Sequence, residues 1–193
     1  EGANICGGLC FTPDAQTLVH GGHDTKELSL WDLCTSERTN GGVKRDGGAI
    51  LTSAVSSDGQ LLCIATTDGL AMYEFTQRGD DGEEPRCELL WEIGTGTRFA
   101  GVAFSRDGAL VAAVRWETGV LEIRESRSNS AVKTIEDFPA VHNDGGHNCL
   151  AFSEEVLAVT GRDGKPNKRQ VRLYAVQSDF AELTTLEVPG HCA

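Results

Sequence analysis

The chain is expected to be all-β, four copies of one four-stranded antiparallel sheet. Three observations predict this. A phrase made of an apolar strand, Ser-Xaa-Asp-Gly or a relative, and a second apolar strand recurs four times along 193 residues. Within the phrase, apolar and polar residues alternate over short runs bounded by Gly and Asp, the period of half-buried strands. No stretch sustains the 3.6-residue period of a helix.

The first strands align on Phe11, Val55, Phe104 and Phe152, with steps of 44, 49 and 48 residues. Each is followed by a tight turn, Thr12-Pro13-Asp14, Ser56-Ser57-Asp58-Gly59, Ser105-Arg106-Asp107-Gly108 or Ser153-Glu154. Gly tolerates positive φ there, and Asp accepts from the turn's own backbone. Second strands follow at Thr17–Val19, Leu61–Ala65, Leu110–Val114 and Val156–Thr160. Third strands end at Leu30-Trp31-Asp32, Met72-Tyr73-Glu74, Ile123-Arg124-Glu125 and Leu173-Tyr174-Ala175. Fourth strands are clear at Ala131–Ile135 and Leu183–Glu187, present at Cys87–Ile93, and poor near Val43.

Composition narrows the class of function. Hydrophobic residues make up 39% and charged residues 24%, as in an ordinary globular protein. Seventeen basic against 29 acidic residues give a net charge of −12, which disfavours nucleic-acid and membrane-surface binding. No run reaches the ~18 apolar residues of a bilayer span. The seven cysteines have no repeated short spacing. Several lie in strand runs such as Leu61-Leu62-Cys63-Ile64, so they read as buried, reduced thiols. That favours an intracellular setting, cytoplasmic or nuclear.

The repeat resembles the WD40 β-propellers, whose repeats run about 40–45 residues and whose third strand ends in Trp-Asp. Trp31-Asp32 keeps that dipeptide, while Gly190-His191 matches the family's Gly-His pair. The resemblance covers the whole chain and implies approximate blades at 5–48, 49–98, 99–141 and 147–190. It also implies scaffold roles for Trp31, Asp32, Asp58, Asp68, Asp107, Asp163 and His191. Such propellers usually close with about seven blades, since an open ring leaves sheet edges exposed. The chain opens on Glu1, and its last residues read as the lead-in to a further blade. Part of a larger ring is therefore expected. A closed four-blade ring and two chains sharing an eight-blade ring are the alternatives.

Family resemblance places the turns between second and third strands on the partner-binding face. In the fourth copy this turn spans 161–172, where Arg162, Lys165, Lys168, Arg169 and Arg172 form a basic hairpin suited to an acidic or phosphorylated partner. Its plainer reading is a solubilising loop. In the third copy the turn holds Arg115 and Trp116, residue types enriched at interface hot spots. The plainer reading is that Trp116 packs against a neighbouring blade. Trp91 reads as a residue packed between sheets. Two polar clusters have weak metal-binding character: the acidic loop Arg78–Arg86, and His142, Asp144, His147 and Cys149. Neither has an ordered ligand scheme, so no metal and no cofactor are expected.

The function expected is a non-catalytic scaffold presenting a propeller face to peptides or domains of other proteins, with missing blades of the same polypeptide as a further partner. The competing expectation is a propeller-type hydrolase with a site in its central channel. It needs carboxylates or histidines at the starts of first strands, where Gly8-Leu9, Ser53-Ala54, Gly101-Val102 and Leu150 stand.

Overall fold

The structure, a computed structural model, describes residues 8–22, 26–77, 79, 83–94, 96–136, 149–162 and 168–189. Four antiparallel meanders follow one another along the chain. The first contains β1 (Leu9–Phe11), β2 (Thr17–Gly21), β3 (Glu27–Asp32), β4 (Glu37–Arg38) and β5 (Val43–Lys44). The second contains β6 (Ile50–Val55), β7 (Leu61–Thr66), β8 (Gly69–Thr76) and β9 (Arg86–Gly94). The third contains β10 (Phe99–Phe104), β11 (Leu110–Arg115), β12 (Leu121–Glu125) and β13 (Ala131–Ile135). The fourth contains β14 (Leu150–Phe152), β15 (Val156–Arg162), β16 (Lys168–Ala175) and β17 (Ala181–Pro189), with a single 3-10 turn at Val176–Ser178. No helix among the described residues is long and apolar enough to cross a membrane.

One hydroxyl–carboxylate latch builds the first turn of three sheets. Thr12, Ser56 and Ser105 donate to Asp14, Asp58 and Asp107 at 2.5, 2.5 and 2.6 Å. The same hydroxyls accept from the amides of Thr17, Leu61 and Leu110 at 3.0, 2.9 and 2.9 Å. Each carboxylate also accepts a backbone amide two residues on, from Gln16, Gln60 or Ala109, at 3.0 Å. Gly59 and Gly108 complete their turns at φ +70°, a conformation that a side chain resists. In the fourth sheet Ser153 accepts from the Val156 amide at 2.9 Å, with Glu155 at the position of the latch aspartate.

The first sheet departs from expectation. Its outer strand is broken in two, with β4 pairing Trp31–Asp32 and β5 pairing Glu27–Leu28 of β3. Between the pieces, Gly41 lies so close to the next sheet that a Cβ would stand 1.8 Å from the Pro85 carbonyl oxygen. A continuous strand would need that space.

First strands of consecutive sheets adjoin, β1 with β6, β6 with β10, and β10 with β14, so the sheets fan out as stacked blades. The core lies between blades. Val19, Leu28 and Leu30 meet Leu62, Ile64 and Tyr73 across the first interface. Leu61, Cys63 and Met72 meet Phe99, Val111 and Ala113 across the second. Ala112, Val114, Leu121 and Ile123 meet Leu157, Val159 and Tyr174 across the third. Strand β7 is buried at every position because its alternating side chains enter two different interfaces.

Register explains the two ends of the stack. On the face that each blade turns to its successor, Leu30, Met72, Ile123 and Leu173 occupy equivalent positions, opposite Val19, Cys63, Ala112 and Ala158. The first three pairs are buried, whereas Ala158 and Leu173 are only half-buried. Beside them Leu186 is 49% exposed. On the opposite face Leu18–Trp31 is equivalent to Leu62–Tyr73 and Leu157–Tyr174. Tyr73 and Tyr174 are 2% exposed and Trp31 is 39% exposed. Leu9 and Phe11, next to it on β1, are exposed as well.

Candidate functional site

The site is built where the connection from blade 2 into β10 meets the turn after β11. Strands β10 and β11 pair at Phe104↔Val111 through Gly101↔Val114, then shift by one residue to pair Phe99↔Arg115. This bulge places Arg98 beside Trp116, whose amide donates to the Arg98 carbonyl at 2.8 Å. The Arg98 guanidinium lies over the Trp116 ring, 4.5 Å from its centroid. Arg115 in turn lies 5.8 Å from the Phe99 ring centroid. Stacking of this kind holds a guanidinium flat and leaves its edge for other partners.

Charge is unevenly compensated here. Arg115 binds Glu122 through Nε and Nη2 at 2.6 Å, and Arg124 binds the other Glu122 oxygen at 2.7–2.9 Å. One carboxylate, 5% exposed, thus serves two guanidiniums. Among the described side chains, Arg98 is the one arginine with no carboxylate within 4.0 Å. Its Nε is buried and finds no hydrogen-bond acceptor among the described residues.

Arg98 and Arg115 open onto a pocket of about 520 Å³ between blades 2 and 3, with Ala49, Thr67, Gly96, Thr97, Glu117 and Thr118 around it. The Thr67 hydroxyl accepts from the Ala49 amide at 3.0 Å, and the Thr118 hydroxyl from the Val120 amide at 3.5 Å. Each of these oxygens then has its O–H left to donate.

Of the two readings of Trp116, the structure shows the packed one. It is 5% exposed and packs with Leu121, Leu150 and Val159 between blades 3 and 4. Its role is to support Arg98, a residue that the sequence reading did not single out. The extent of the basic turn in the fourth copy is narrower than expected. Strands β15 and β16 extend to Arg162 and Lys168, and Arg162 pairs with Arg169 in register, so 161–162 and 168–172 are strand rather than turn. Arg172 lies within β16, its side chain 20% exposed and 3.8 Å from Glu182. Lys165, Asp163 and His191 lie outside the described residues, as do Arg78, His142, Asp144 and His147.

Of the expected scaffold residues, Asp32 accepts from the Cys34 and Thr35 amides at 2.8 and 3.2 Å. Asp68 accepts from the Gly48 amide at 3.2 Å, tying the turn after β7 to the lead-in of its own blade. Trp91 lies between sheets, its Nε1 donating to the Ser126 carbonyl at 2.7 Å.

No protein-family model matches the chain, and no curated protein matches it. Solved structures do. The β-propeller domain of Myceliophteria thermophila Cps50 (Swd1) aligns with a TM-score of 0.72 at 20% identity, over 89% of this chain and 53% of that one. The RRP9 WD40 repeats align with a TM-score of 0.67 at 20% identity, over 99% and 53%. The fold is that of the WD40 β-propellers. Kuenenia stuttgartiensis hydrazine synthase also aligns, with a TM-score of 0.73 at 16% identity, over 98% and 51%. At such identities the likeness is one of fold. The chain spans about half the length of the solved chains it matches.

Two further features of the propeller bear on function. The hollow along the first strands is lined by Cys10, Ser53, Val102, Leu150 and their neighbours, with Arg106 the one charged side chain among the lining residues. Within it Cys10 Sγ and Ser53 Oγ lie 3.3 Å apart. The described cysteines Cys10, Cys34, Cys63, Cys87 and Cys149 are all free. Burial pushes the thiols of Cys63, Cys87 and Cys149 up to about 12. No group of three His, Cys, Asp or Glu able to hold a metal occurs among the described residues.

Proposed function

We propose that this chain is a non-catalytic scaffold that binds protein partners on the rim where the Arg98–Arg115 pocket opens. The observation that carries the reading is the Arg98 guanidinium over the Trp116 ring, a cation with no acid beside it among the described residues in a chain of net charge −12. An uncompensated charge held flat over a buried ring is organised for a ligand from outside the chain. The basic hairpin residues Arg162, Lys165, Lys168 and Arg169 belong to the same proposal as a second, acidic-partner contact. Free thiols at five described positions support an intracellular setting.

The hydrolase alternative finds less support. Acid–base hydrolysis needs a positioned carboxylate or histidine within hydrogen-bond reach of substrate. Among the described residues, those lining the first-strand hollow supply neither.

A further proposal concerns the stack's two ends. The half-buried Ala158–Leu173 face and the exposed Trp31 face have the registers of three buried interfaces, and we infer that each takes another four-stranded blade. Continuity with those interfaces supports this occupant.

Cross-linking mass spectrometry on a co-purified complex tests the scaffold reading. Partner cross-links clustered at 94–98, 115–119 and 163–167 support it. Cross-links confined to the outer strands β9, β13 and β17 contradict it.

A further inference from the structure

We propose that the pocket between blades 2 and 3 binds one anionic group, the phosphoryl or carboxylate group of a partner's side chain. Arg98 and Arg115 would hold the charge, with the Thr67 and Thr118 hydroxyls as neutral donors. The inference rests on the scaffold reading and goes beyond it by naming the chemistry that is recognised.

Four observations converge. Among the described residues Arg98 has no acidic partner, its Nε lies buried without an acceptor, and its guanidinium lies over the Trp116 ring. Glu122 is shared between Arg115 and Arg124, so Arg115 is only half neutralised. Thr67 and Thr118 already accept backbone hydrogen bonds, which orients their O–H groups as donors. Finally, the pocket of about 520 Å³ opens between two backbone turns and is large enough for a side-chain headgroup. Glu117 is the one acid among the described lining residues, and its charge favours a ligand of more than one negative charge or one displaced toward Arg98. Planar guanidinium edges match the oxygens of carboxylate and phosphate, and charge-assisted bonds to them are the strong ones.

The contacts across the pocket join different blades. Thr67 follows β7 of blade 2, whereas Arg98, Arg115 and Thr118 flank β10 and β11 of blade 3. A bound anion would therefore bridge two blades. Binding would depend on both the chain connection that brings Arg98 into place and the bulge that sets it over Trp116.

The test is a titration of the purified full chain with inorganic phosphate, O-phosphoserine and N-acetylglutamate amide, at constant ionic strength set with chloride. Arginine Nε–H resonances and tryptophan fluorescence are followed. Saturable shifts at Arg98 are expected in the wild type, and the anion affinity read from the Arg115 Nε–H resonance and tryptophan fluorescence should weaken at least about tenfold in Arg98→Gln and in Thr118→Glu, which places a carboxylate in the pocket mouth. Thr118 is exposed, so its variant keeps the test open if Arg98→Gln fails to fold. Stronger binding of O-phosphoserine assigns a phosphorylated partner, and stronger binding of the glutamate analogue assigns an acidic one. Absence of shifts, or equal shifts in wild type and both variants, overturns the proposal. Saturable anion binding by a chain whose protein partner is unaffected by Arg98→Gln would leave the pocket standing and defeat its part in the scaffold.

Discussion

The Arg98 guanidinium stands 4.5 Å from the centroid of Trp116, a ring that is itself buried between blades 3 and 4. The ring and the charge it supports thus come from two residues 18 positions apart in sequence. Trp116→Ala is expected to lower stability by about 3 kcal/mol, because it empties a large buried side-chain volume. Arg98→Gln removes a half-exposed cation from above the ring and should cost about 1 kcal/mol or less. Chemical denaturation of the two variants checks this ordering. Equal losses would mean that Trp116 is not a packed core residue.

The Ser105–Asp107 latch predicts a pH signature. The Ser105 hydroxyl and Ala109 amide hold the Asp107 carboxyl below its usual range. A carboxyl with a lowered folded value stabilises the fold above its unfolded pKa of about 3.9 and loses that contribution as pH falls through the folded value. Ser105→Ala should therefore cost about 1–2 kcal/mol at neutral pH, with the difference from wild type shrinking below about pH 4. Urea titrations at pH 7 and pH 3 measure it.

Equivalent positions on different blades should respond differently. Ile123 is fully buried where Leu173, its counterpart in register, is half-buried at the end of the stack. Ile123→Glu is expected to cost more than about 4 kcal/mol, since it buries an unpaired charge. Leu173→Glu should cost about 1 kcal/mol or less in the isolated chain. Thermal melts of the two variants decide it, and an unfolded Leu173→Glu chain would show that this face is already covered.

Thiol chemistry provides an independent map of burial. Cys34 is exposed in the turn after β3, whereas Cys63 is fully buried with its thiol pushed up to about 12. Brief alkylation at pH 8 followed by peptide mapping should modify Cys34 and spare Cys63, Cys87 and Cys149 until the chain is unfolded.

Much of the fold was legible because its signals are local. The turn latches announce themselves as Ser-Xaa-Asp-Gly, and alternation between them marks strands that need no distant partner to be recognised. The alignment of Trp31 with Tyr73, Arg124 and Tyr174 is also the register observed. What escaped depends on single-residue shifts. Extending the β10–β11 pairing from Gly101↔Val114 without a bulge would set Arg98 opposite Glu117, an ordinary surface ion pair. The shift at Phe99 sets it opposite Trp116 instead. Side-chain period changes face with every one-residue slip, so the site depended on a feature that alternation does not encode. The split of β4 from β5 was hidden for a similar reason, since the close approach of Pro85 to Gly41 comes from the next blade.

The most direct test of the scaffold account is quantitative retention of a protein partner from extracts of the source cells on immobilised chain. Wild type, Arg98→Gln and Leu173→Glu would be compared at matched stability. The account predicts that Arg98→Gln loses most of the partner that wild type retains, while Leu173→Glu keeps it. Full retention by Arg98→Gln would contradict it.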